Sequence, residues 1–546
     1  MRYSCCQLIC VLMATPMCAS ALAGDELLVV SVSPAHAALN ADADAPLTIT
    51  FDKAIDPKSV TPNDFHAFSR GGGPMPGVFV FGDDGRSVTL EPTRNATRGE
   101  PVTVTVSNAI RALDGTPMRS AGYQWRYYTS ARPSDMDFTI QQEMTTRAFP
   151  NETVIPYGGC ATDLDGDGWV DLSIVNEGTN DVRVFMNRAD GTGEVDSFLK
   201  PGNLVGATPS PSEAADFNLD GFPDLCTADL QGDSISILIG NGDGTYQPAQ
   251  SPDAGNQPRG ITTLDADGDG DIDIVSTNAT SGNAMYWENN GDGTFADPVT
   301  FQPGISQEWS VQADDMDGDG IFDLVFGGSN SVRVMMGNGT GTFTTKSTQP
   351  VAGRAWQMNL ADLDADGDID VAIVAAFANL GQIFKNSGDG NLSSATNYNT
   401  DSFPLATDLG DLDGDGDLDW ITSSYGGDWF IFTNNGNGSY QFHEEISAPV
   451  AASCSLPVDM DRDGDLDIVF IDELGDWLII MSNSGNNGPE LRMDLNGDGA
   501  VNGEDLGLLL AYWGSCPPTG DCPPDANNDG LVDGGDIGIL LIEWNG

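Results

Sequence analysis

The chain contains 546 residues and has a formal net charge of −60, because 82 acidic side chains outnumber 22 basic ones. At roughly 100–200 residues per domain, this length predicts three or four domains and excludes a single compact module. The scarcity of lysine and arginine argues against a nucleic-acid partner, and a hydrophobic fraction of 40% excludes disorder along the whole chain. Three histidines and no Cys-x-x-Cys pair leave too few ligands for a zinc site or for transition-metal catalysis.

Residues 1–23 have the composition of a secretory signal peptide. Arg2 precedes an apolar stretch from Leu8 to Ala14, and Ala21-Leu22-Ala23 forms a small-x-small cleavage site. Lipid attachment at Cys18 is disfavoured because Met17, which is not small, precedes it. No later apolar run approaches the ~18 residues that span a membrane. We therefore expect cleavage after Ala23, no transmembrane segment, and a secreted or cell-surface-associated protein.

Five of the nine cysteines lie beyond this segment, at Cys160, Cys226, Cys454, Cys516 and Cys522. Export permits disulfides, and an odd count leaves at least one thiol unpaired or intermolecular. Cys516 and Cys522 are separated by a short loop, so they are the favoured bridge.

Residues 24–133 alternate apolar and polar positions in short runs such as LTITFD, SVTLEP and PVTVTV, separated by Asp, Gly, Pro and Asn turns. This pattern predicts a small β-sandwich. The order of its elements resembles the bacterial Ig-like modules of surface-layer and secreted proteins. The resemblance implies a spacer or adhesive unit.

Residues 134–488 contain an acidic nonapeptide of the form DxDxDGxxD seven times, at intervals of 47–53 residues. The copies begin at Asp163, Asp216, Asp265, Asp315, Asp362, Asp411 and Asp459. Each copy is followed by an apolar run typical of a buried strand, and most then reach a glycine-rich turn. A repeat of ~50 residues with three or four short strands is typical of a propeller blade.

The two ends of this region predict how it closes. The seventh repeat stops without the strand that follows its turn in the other repeats, whereas residues 137–148 form a strand-like segment with no turn ahead of it. We expect this segment to complete the last blade of a seven-bladed β-propeller. The pattern resembles the FG-GAP and VCBS repeats of integrin alpha-subunit propellers and their bacterial relatives. The resemblance implies that the acidic loops lie away from the ligand face and stiffen the blades.

The acidic loops predict calcium sites. Calcium takes six to eight oxygen ligands, and positions one, three, five and nine can converge because glycine at position six lets the loop fold tightly. One isolated Asp-Gly string is equally well explained as a solvated turn, but seven copies in fixed register favour calcium. Four carboxylates packed into nine residues would repel one another unless a cation neutralised them. The predicted sets are Asp163, Asp165, Asp167, Asp171 and the carbonyl of Trp169; Asp216, Asn218, Asp220 and Asp224; Asp265, Asp267, Asp269 and Asp273; Asp315, Asp317, Asp319 and Asp323; Asp362, Asp364, Asp366 and Asp370; Asp411, Asp413, Asp415 and Asp419; and Asp459, Asp461, Asp463 and Asp467.

Residues 489–546 contain a duplication with a period of 31, and each half is a loop followed by an apolar helix pattern. The loops place oxygens at the EF-hand positions: Asp494, Asn496, Asp498, Asn502 and Asp505, then Asp525, Asn527, Asp529, Asp533 and Asp536. This pair closely resembles a dockerin domain, which implies two bound calcium ions and a cohesin-like scaffold partner. Gly503-Glu504 and Gly534-Gly535 depart from the family at the cohesin-contacting positions. We expect Leu509, Leu510 and Trp513 to pack against Leu540, Leu541 and Trp544.

Two functions are consistent with this organisation. The first is a non-catalytic, calcium-stabilised protein whose propeller binds an extracellular protein or polysaccharide and whose tail docks onto a larger assembly. The second is an extracellular carbohydrate-active enzyme, or its accessory subunit, linked to polysaccharide catabolism. Glycosidic cleavage needs two carboxylates about 5–9.5 Å apart, and no pair stands out in the sequence. Trp309, Trp356 and Trp420 lie near inner strands and are candidates for a sugar-stacking platform, although aromatic packing within blades is the commoner explanation for such residues.

Overall fold

The structure is a computed structural model, and it describes residues 26–483, 493, 495, 501, 503–515, 524 and 531–542. It is mainly β, with 46% strand and 4% helix, as the sequence predicts. Neither helix among these residues has the length and hydropathy of a membrane span. The predicted signal segment, residues 1–23, and the predicted Cys516–Cys522 bridge lie outside the described residues.

The N-terminal unit is the predicted β-sandwich. Its strands are β1 (Val29–Ser33), β2 (Leu47–Phe51), β3 (Phe65–Ser69), β4 (Gly73–Pro74), β5 (Gly77–Phe81), β6 (Ser87–Pro92), β7 (Pro101–Val106) and β8 (Tyr123–Tyr128), with a 3-10 turn at Pro57–Ser59. They form two four-stranded sheets, ordered β1-β2-β6-β5 and β4-β3-β7-β8. Alternate residues of β2 and β3 are buried, so Ile49 and Phe65 share one core with Trp125. We call residues 26–133 the Ig-like sandwich.

The acidic repeats then form seven units, which we call repeat sheets one to seven. Sheet one contains β10 (Pro156–Thr162), β11 (Asp171–Asn176), β12 (Asp181–Phe185) and β13 (Asn203–Leu204), and sheet two contains β14 (Pro209–Ala215), β15 (Asp224–Asp229) and β16 (Ser234–Leu238). Sheet three contains β17 (Pro258–Leu264), β18 (Asp273–Asn278), β19 (Asn283–Trp287) and β20 (Val299–Phe301). Each acidic loop joins the first strand of its sheet to a second strand whose first six residues are buried, as in β11, β15 and β18.

Repeat sheets four and five are hydrogen-bonded into one six-stranded sheet. Its strands are β21 (Ser310–Asp314), β22 (Asp323–Gly337), β23 (Phe343–Ala361), β24 (Asp370–Ala376), β25 (Leu380–Phe384) and β26 (Thr396–Asn399). The long β23 pairs with β22 of sheet four and, further along, with β24 of sheet five. It therefore serves as the outer strand of sheet four and the inner strand of sheet five.

The last two sheets show how the repeats begin and end. Sheet six contains β27 (Pro404–Gly410), β28 (Asp419–Ser424), β29 (Trp429–Thr433) and β30 (Gln441–Ile446), and sheet seven contains β31 (Ala452–Val458), β32 (Asp467–Asp472) and β33 (Trp477–Ser482). The fourth strand of sheet seven is β9 (Thr139–Thr145), which pairs antiparallel with β33. The predicted pairing of residues 137–148 with the end of the seventh repeat is therefore confirmed.

The first strands of the repeat sheets contact one another in chain order, and β31 of sheet seven contacts β10 of sheet one. An asparagine after the third strand links several neighbouring sheets. The amide of Asn289 in sheet three donates to the carbonyl of Phe217 in sheet two at 2.8 Å. Asn187 in sheet one makes the equivalent bond, at 2.9 Å, to the carbonyl of Met460 in sheet seven. Sheet one therefore contacts sheet seven in the way that sheet three contacts sheet two.

The C-terminal unit contains α1 (Gly503–Ala511), β34 (Gly514–Ser515), β35 (Leu531–Val532) and α2 (Gly534–Ile542). Leu509 and Leu540 are buried in one cluster, as the duplication predicts. The prediction was wrong for Leu510, Trp513 and Leu541, which are 49%, 52% and 58% exposed. A pair of nine-residue helices has room for one buried position per turn at their contact, so these neighbours turn to solvent. Trp544 lies outside the described residues.

Candidate functional site

Every acidic loop is organised around its first aspartate. In sheet one, Asp163 accepts hydrogen bonds from the N–H groups of Gly166 at 2.8 Å and Gly168 at 2.9 Å. The bond from the sixth-position glycine recurs in all seven loops at 2.6–3.2 Å. Gly168 has φ 89°, a left-handed conformation that glycine adopts without a β-carbon penalty. The DxDxDG spacing therefore determines the loop conformation locally.

The ninth aspartate has a structural role that sequence reasoning missed. Asp171 accepts from the N–H of Leu164 at 3.0 Å and from the N–H of Asn187 at 2.8 Å. The same two bonds occur at the other six copies, with lengths of 2.7–3.3 Å. This carboxylate therefore ties its loop to the end of the third strand. The sequence feature that could have revealed this role is that the ninth aspartate is the first residue of the second strand in each repeat sheet.

Carboxylate oxygens converge in these loops. In sheets one, four, five and six, carboxylate oxygens of the first, third and ninth aspartates lie within 4.8 Å of one another. In sheet three, oxygens of the first, third and fifth aspartates lie within the same distance. Burial raises the pKa of Asp171 and of Asp323 to about 8. Asp411 Oδ1 and Asp459 Oδ1 are buried without a hydrogen-bond partner among the described residues. An all-oxygen donor set with unpaired buried oxygens fits a hard divalent cation such as calcium.

The second loop differs from the others, as the sequence predicts. The amide of Asn218 donates from Nδ2 to Asp220 at 2.9 Å. Asn218 therefore donates a hydrogen bond to a neighbouring carboxylate and adds no further negative charge to the loop.

Most of the predicted tail ligands lie outside the described residues. Of the ten, the structure describes Asp505, Asp533 and Asp536, and Asp505 and Asp536 are fully buried. Asp505 accepts from the N–H of Leu495 at 2.9 Å, and Asp536 accepts from the N–H of Asp533 at 2.8 Å. Asp494, Asn496, Asp498, Asn502, Asp525, Asn527 and Asp529 are not described, so the two tail sites stay predictions.

The Ig-like sandwich packs against the acidic-loop ends of the repeat sheets. It donates hydrogen bonds to the carbonyl of the sixth-position glycine in four loops. The pairs are His66 Nε2 to Gly270 at 2.8 Å, Gln124 N to Gly320 at 2.9 Å, Asn40 Nδ2 to Gly416 at 3.2 Å, and Arg132 N to Gly464 at 2.7 Å. Two ion pairs lie further inside, Arg126 to Asp314 at 2.8 Å and Arg70 to Asp408 at 2.6 Å. The sandwich therefore covers one end of the space between the inner strands.

An aromatic cluster occupies the opposite end of the inner strands. Trp309 and Trp356 stack with ring centroids 4.6 Å apart and an interplanar angle of 26°. Phe403 packs edge-on against Trp356 at 5.4 Å, against Phe377 at 4.8 Å and against Tyr425 at 6.4 Å. We call Phe377, Phe403 and Tyr425 the aromatic rim. Trp420 lies elsewhere, fully buried in sheet six. Of the three tryptophans predicted to form a platform, the structure brings only Trp309 and Trp356 together.

Charged side chains are interleaved with these rings. Arg259 is buried, lies 4.8 Å from the ring of Tyr157, and pairs with Glu177 at 3.6 Å. The guanidinium of Arg354 lies 4.2 Å from the ring of Trp309, and its Nη2 donates to Gln307 at 3.0 Å.

Glu473 completes this group of charges. Burial, and secondly the nearby charge of Glu177, raise the pKa of Glu473 to about 7. Burial and the charges of Glu473 and Glu177 also raise the pKa of Tyr425, which places that hydroxyl near both carboxylates. We call the aromatic rim and the four charged residues Glu177, Arg259, Arg354 and Glu473 together the channel mouth.

A cavity of about 500 Å³ connects the two ends. Arg70 and Arg126 line it on the side of the Ig-like sandwich, and Tyr157, Arg259 and Trp309 line it at the channel mouth. Sequence reasoning found Trp309 and Trp356 but missed the other residues of the mouth. Their shared signal is a position at the start of a first strand or in the turn after a second strand, at the end of the sheet away from the acidic loop.

Family comparison identifies two modules. A bacterial Ig-like domain matches residues 24–129. An FG-GAP-like repeat matches six overlapping segments, 163–227, 216–276, 265–326, 315–373, 362–422 and 411–470, which together cover more than half of the chain. The chain belongs to the FG-GAP-like repeat family. Each segment runs from one acidic loop through the next, so the six FG-GAP segments contain all seven loops.

Solved structures with a similar arrangement have low sequence identity. One, titled as BBS1N in complex with ARL6DN, is 13% identical, with 63% of this chain and 96% of that chain covered and a TM-score of 0.44. A lectin of Agrocybe aegerita, titled for recognition of non-reducing terminal N-acetylglucosamine, is 19% identical, with 70% and 89% covered and a TM-score of 0.39. A protein from Lactobacillus plantarum is 14% identical, with 56% and 91% covered and a TM-score of 0.39. No curated protein matches the sequence.

Proposed function

We propose that this FG-GAP protein is a secreted, calcium-stabilised, non-catalytic binding or adhesion protein. Residues 24–133 form its Ig-like domain, residues 134–488 form a closed seven-bladed propeller that presents the binding surface, and residues 489–546 form a dockerin-like docking module. The observation that carries the proposal is that one loop, closed by the bond from its sixth-position glycine to its first aspartate, recurs seven times on inner strands that contact one another in order. The pairing of β9 with β33 and the bond from Asn187 to Met460 support closure of the ring.

Calcium at the seven loops would supply the positive charge that the clustered carboxylates otherwise lack. The first, third and fifth aspartates of each loop would hold it, with the ninth aspartate shared between the ion and two backbone N–H groups. The four sixth-position carbonyls that the Ig-like sandwich contacts belong to these loops. Fixing the loops therefore also fixes the contact surface of the sandwich, which supports a structural role for the metal.

A carbohydrate-active enzyme is the second candidate, and one observation favours it. Glu177 and Glu473 interact electrostatically at the channel mouth, and the pKa of Glu473 is raised to about 7. A carboxylic acid with this pKa is suited to general acid catalysis near neutral pH. Product analysis after incubation with polysaccharides distinguishes this candidate from a binding protein, because only an enzyme releases shorter chains.

Calcium dependence is tested on the full chain. Asp265→Asn combined with Asp267→Asn should lower both the number of bound calcium ions, measured by atomic emission after gel filtration, and the thermal midpoint. Asp292→Asn is the matched control, because Asp292 is an exposed aspartate of the next turn in the same sheet. A wild-type melting curve that chelator leaves unchanged contradicts the structural role of calcium.

Binding is tested separately. The full chain in calcium is screened against immobilised polysaccharides and secreted proteins. Capture of a cohesin-like scaffold protein that is lost on Asp505→Ala with Asp536→Ala supports the docking module. Capture that persists in chelator contradicts it.

A further inference from the structure

The aromatic rim is exposed in a way that core packing does not explain. Phe377 is 66% exposed and Tyr425 is 37% exposed. Phe377 also has φ 70°, a left-handed conformation that a side chain with a β-carbon adopts at a cost. Stability alone would favour glycine or asparagine at this position. An exposed aromatic residue in a strained backbone conformation therefore points to a ligand.

The rings beneath the rim hold it in place. Phe403 lies between Phe377 and Tyr425, and it rests on Trp356, which in turn stacks on Trp309. The indole N–H of Trp356 donates to the hydroxyl of Tyr157 at 2.9 Å. The rim is therefore a preorganised surface supported by Trp356, Trp309 and Tyr157 from repeat sheets five, four and one, and binding a ligand there would order few side chains.

The polar groups at the mouth have fixed directions. Arg354 is clamped between the rings of Trp309 at 4.2 Å and Phe377 at 5.3 Å. Its Nε has no hydrogen-bond partner among the described residues. Glu177 is partly exposed and accepts from Ser210 at 3.2 Å. A donor and an acceptor thus flank a row of aromatic rings.

These observations specify a ligand with an apolar face and hydroxyl edges. We propose that the channel mouth binds an uncharged sugar, a pyranose unit of a neutral polysaccharide, whose C–H face stacks on Phe377 and Tyr425. Its hydroxyls accept from Arg354 and donate to Glu177. Trp309 and Trp356, which support the rim, line a cavity of about 500 Å³, a volume within the range of roughly 300–1,000 Å³ that small-molecule sites occupy. This inference names the ligand of the proposed binding function and rests on it.

Charge excludes the other polar ligands. The chain carries a net charge of −60, and Glu177 and Glu473 lie at the mouth itself, so a polyanionic sugar is repelled. A cationic ligand is repelled by Arg259 and Arg354, whose guanidinium groups lie over the rings of Trp309 and Trp356. An uncharged polyhydroxylated ligand meets neither obstacle.

The test uses the full chain in saturating calcium. Isothermal titration is performed with cellotetraose, laminaritetraose and mannotetraose as neutral probes, and with tetragalacturonate as the charged comparison. At least one neutral probe should bind, and raising the salt concentration should leave its affinity unchanged. Phe377→Ala and Arg354→Gln should each weaken that binding by about tenfold or more, the loss expected for one stacking or charge-assisted contact.

Phe442→Ala is the matched control, because Phe442 is 47% exposed on β30 at the outer edge of sheet six. It should leave the affinity unchanged, and equal thermal midpoints should show that all variants are folded. Tighter binding of tetragalacturonate than of any neutral probe overturns the inference, as does the absence of binding by all three neutral probes.

Two further outcomes separate this inference from the proposed function. If a neutral probe binds and neither Phe377→Ala nor Arg354→Gln changes its affinity, the inference is overturned, but the proposed binding function still stands. Shorter products that disappear with Phe377→Ala support the sugar site and contradict the non-catalytic role.

Discussion

Replacing Glu473 by glutamine is expected to stabilise the protein above neutral pH and to change little under acidic conditions. The side chain is buried at 7% exposure, one carboxylate oxygen has no hydrogen-bond partner among the described residues, and Glu177 lies nearby. Burial and this like charge raise its pKa from 4.5 to about 7. The folded protein therefore binds the proton more tightly than the unfolded chain does.

The sign of the effect follows from this difference. Below the unfolded pKa the carboxyl is protonated in both states and carries no penalty. As the pH rises through 4.5 towards 7, ionisation favours the unfolded chain, so the free energy of unfolding falls and then levels off above the folded pKa. The full penalty corresponds to about 3 kcal/mol at pH 8, and less than about 1 kcal/mol remains at pH 5. Glutamine has nearly the same shape and carries no such penalty.

Scanning calorimetry of wild type and Glu473→Gln in saturating calcium at pH 5 and pH 8 measures this difference. Calcium keeps the acidic loops in one state in both proteins, so their titration cancels in the comparison. Glu444→Gln, which changes an exposed carboxylate on β30, is the control and should give no pH-dependent difference. An equal effect of Glu473→Gln at both pH values would refute the assignment of a buried, charge-coupled carboxylate at the channel mouth.

Three further predictions concern the core, the thiols and the sandwich contact. Trp420→Ala should cost about 3–5 kcal/mol in urea unfolding because Trp420 is fully buried, whereas the partly exposed Trp169→Ala should cost much less. Burial raises the pKa of the Cys454 thiol to about 12, so mass mapping should find it alkylated only after unfolding. Arg132→Ala should speed proteolysis between the sandwich and the repeats even in calcium, because Arg132 bonds the seventh loop, and the exposed Arg86→Ala should not.

The sequence by itself determined the repeating features of this protein. DxDxDG fixes its loop through contacts within nine residues, such as the bond from Gly168 to Asp163, so spacing alone predicts it. The apolar run after each loop predicts a buried strand for the same reason, and the missing strand of the seventh repeat predicted the pairing of β9 with β33. Local geometry and hydrophobic burial are sufficient for these features.

The channel mouth and the sandwich contact were decided by the tertiary structure. Tyr157, Arg259, Trp356 and Glu473 come from four different repeats. The first three lie in the first strands of their sheets and Glu473 follows a second strand, and no spacing in the sequence links them. They meet because the inner strands contact one another in order, from sheet one to sheet seven and back to sheet one. Twist and packing between sheets set that arrangement, and they depend on side chains hundreds of residues apart in the chain. Leu510 and Leu541 show the same limit of sequence-based prediction. The apolar periodicity predicted that both would be buried, but the helix pair is small and both are exposed to solvent.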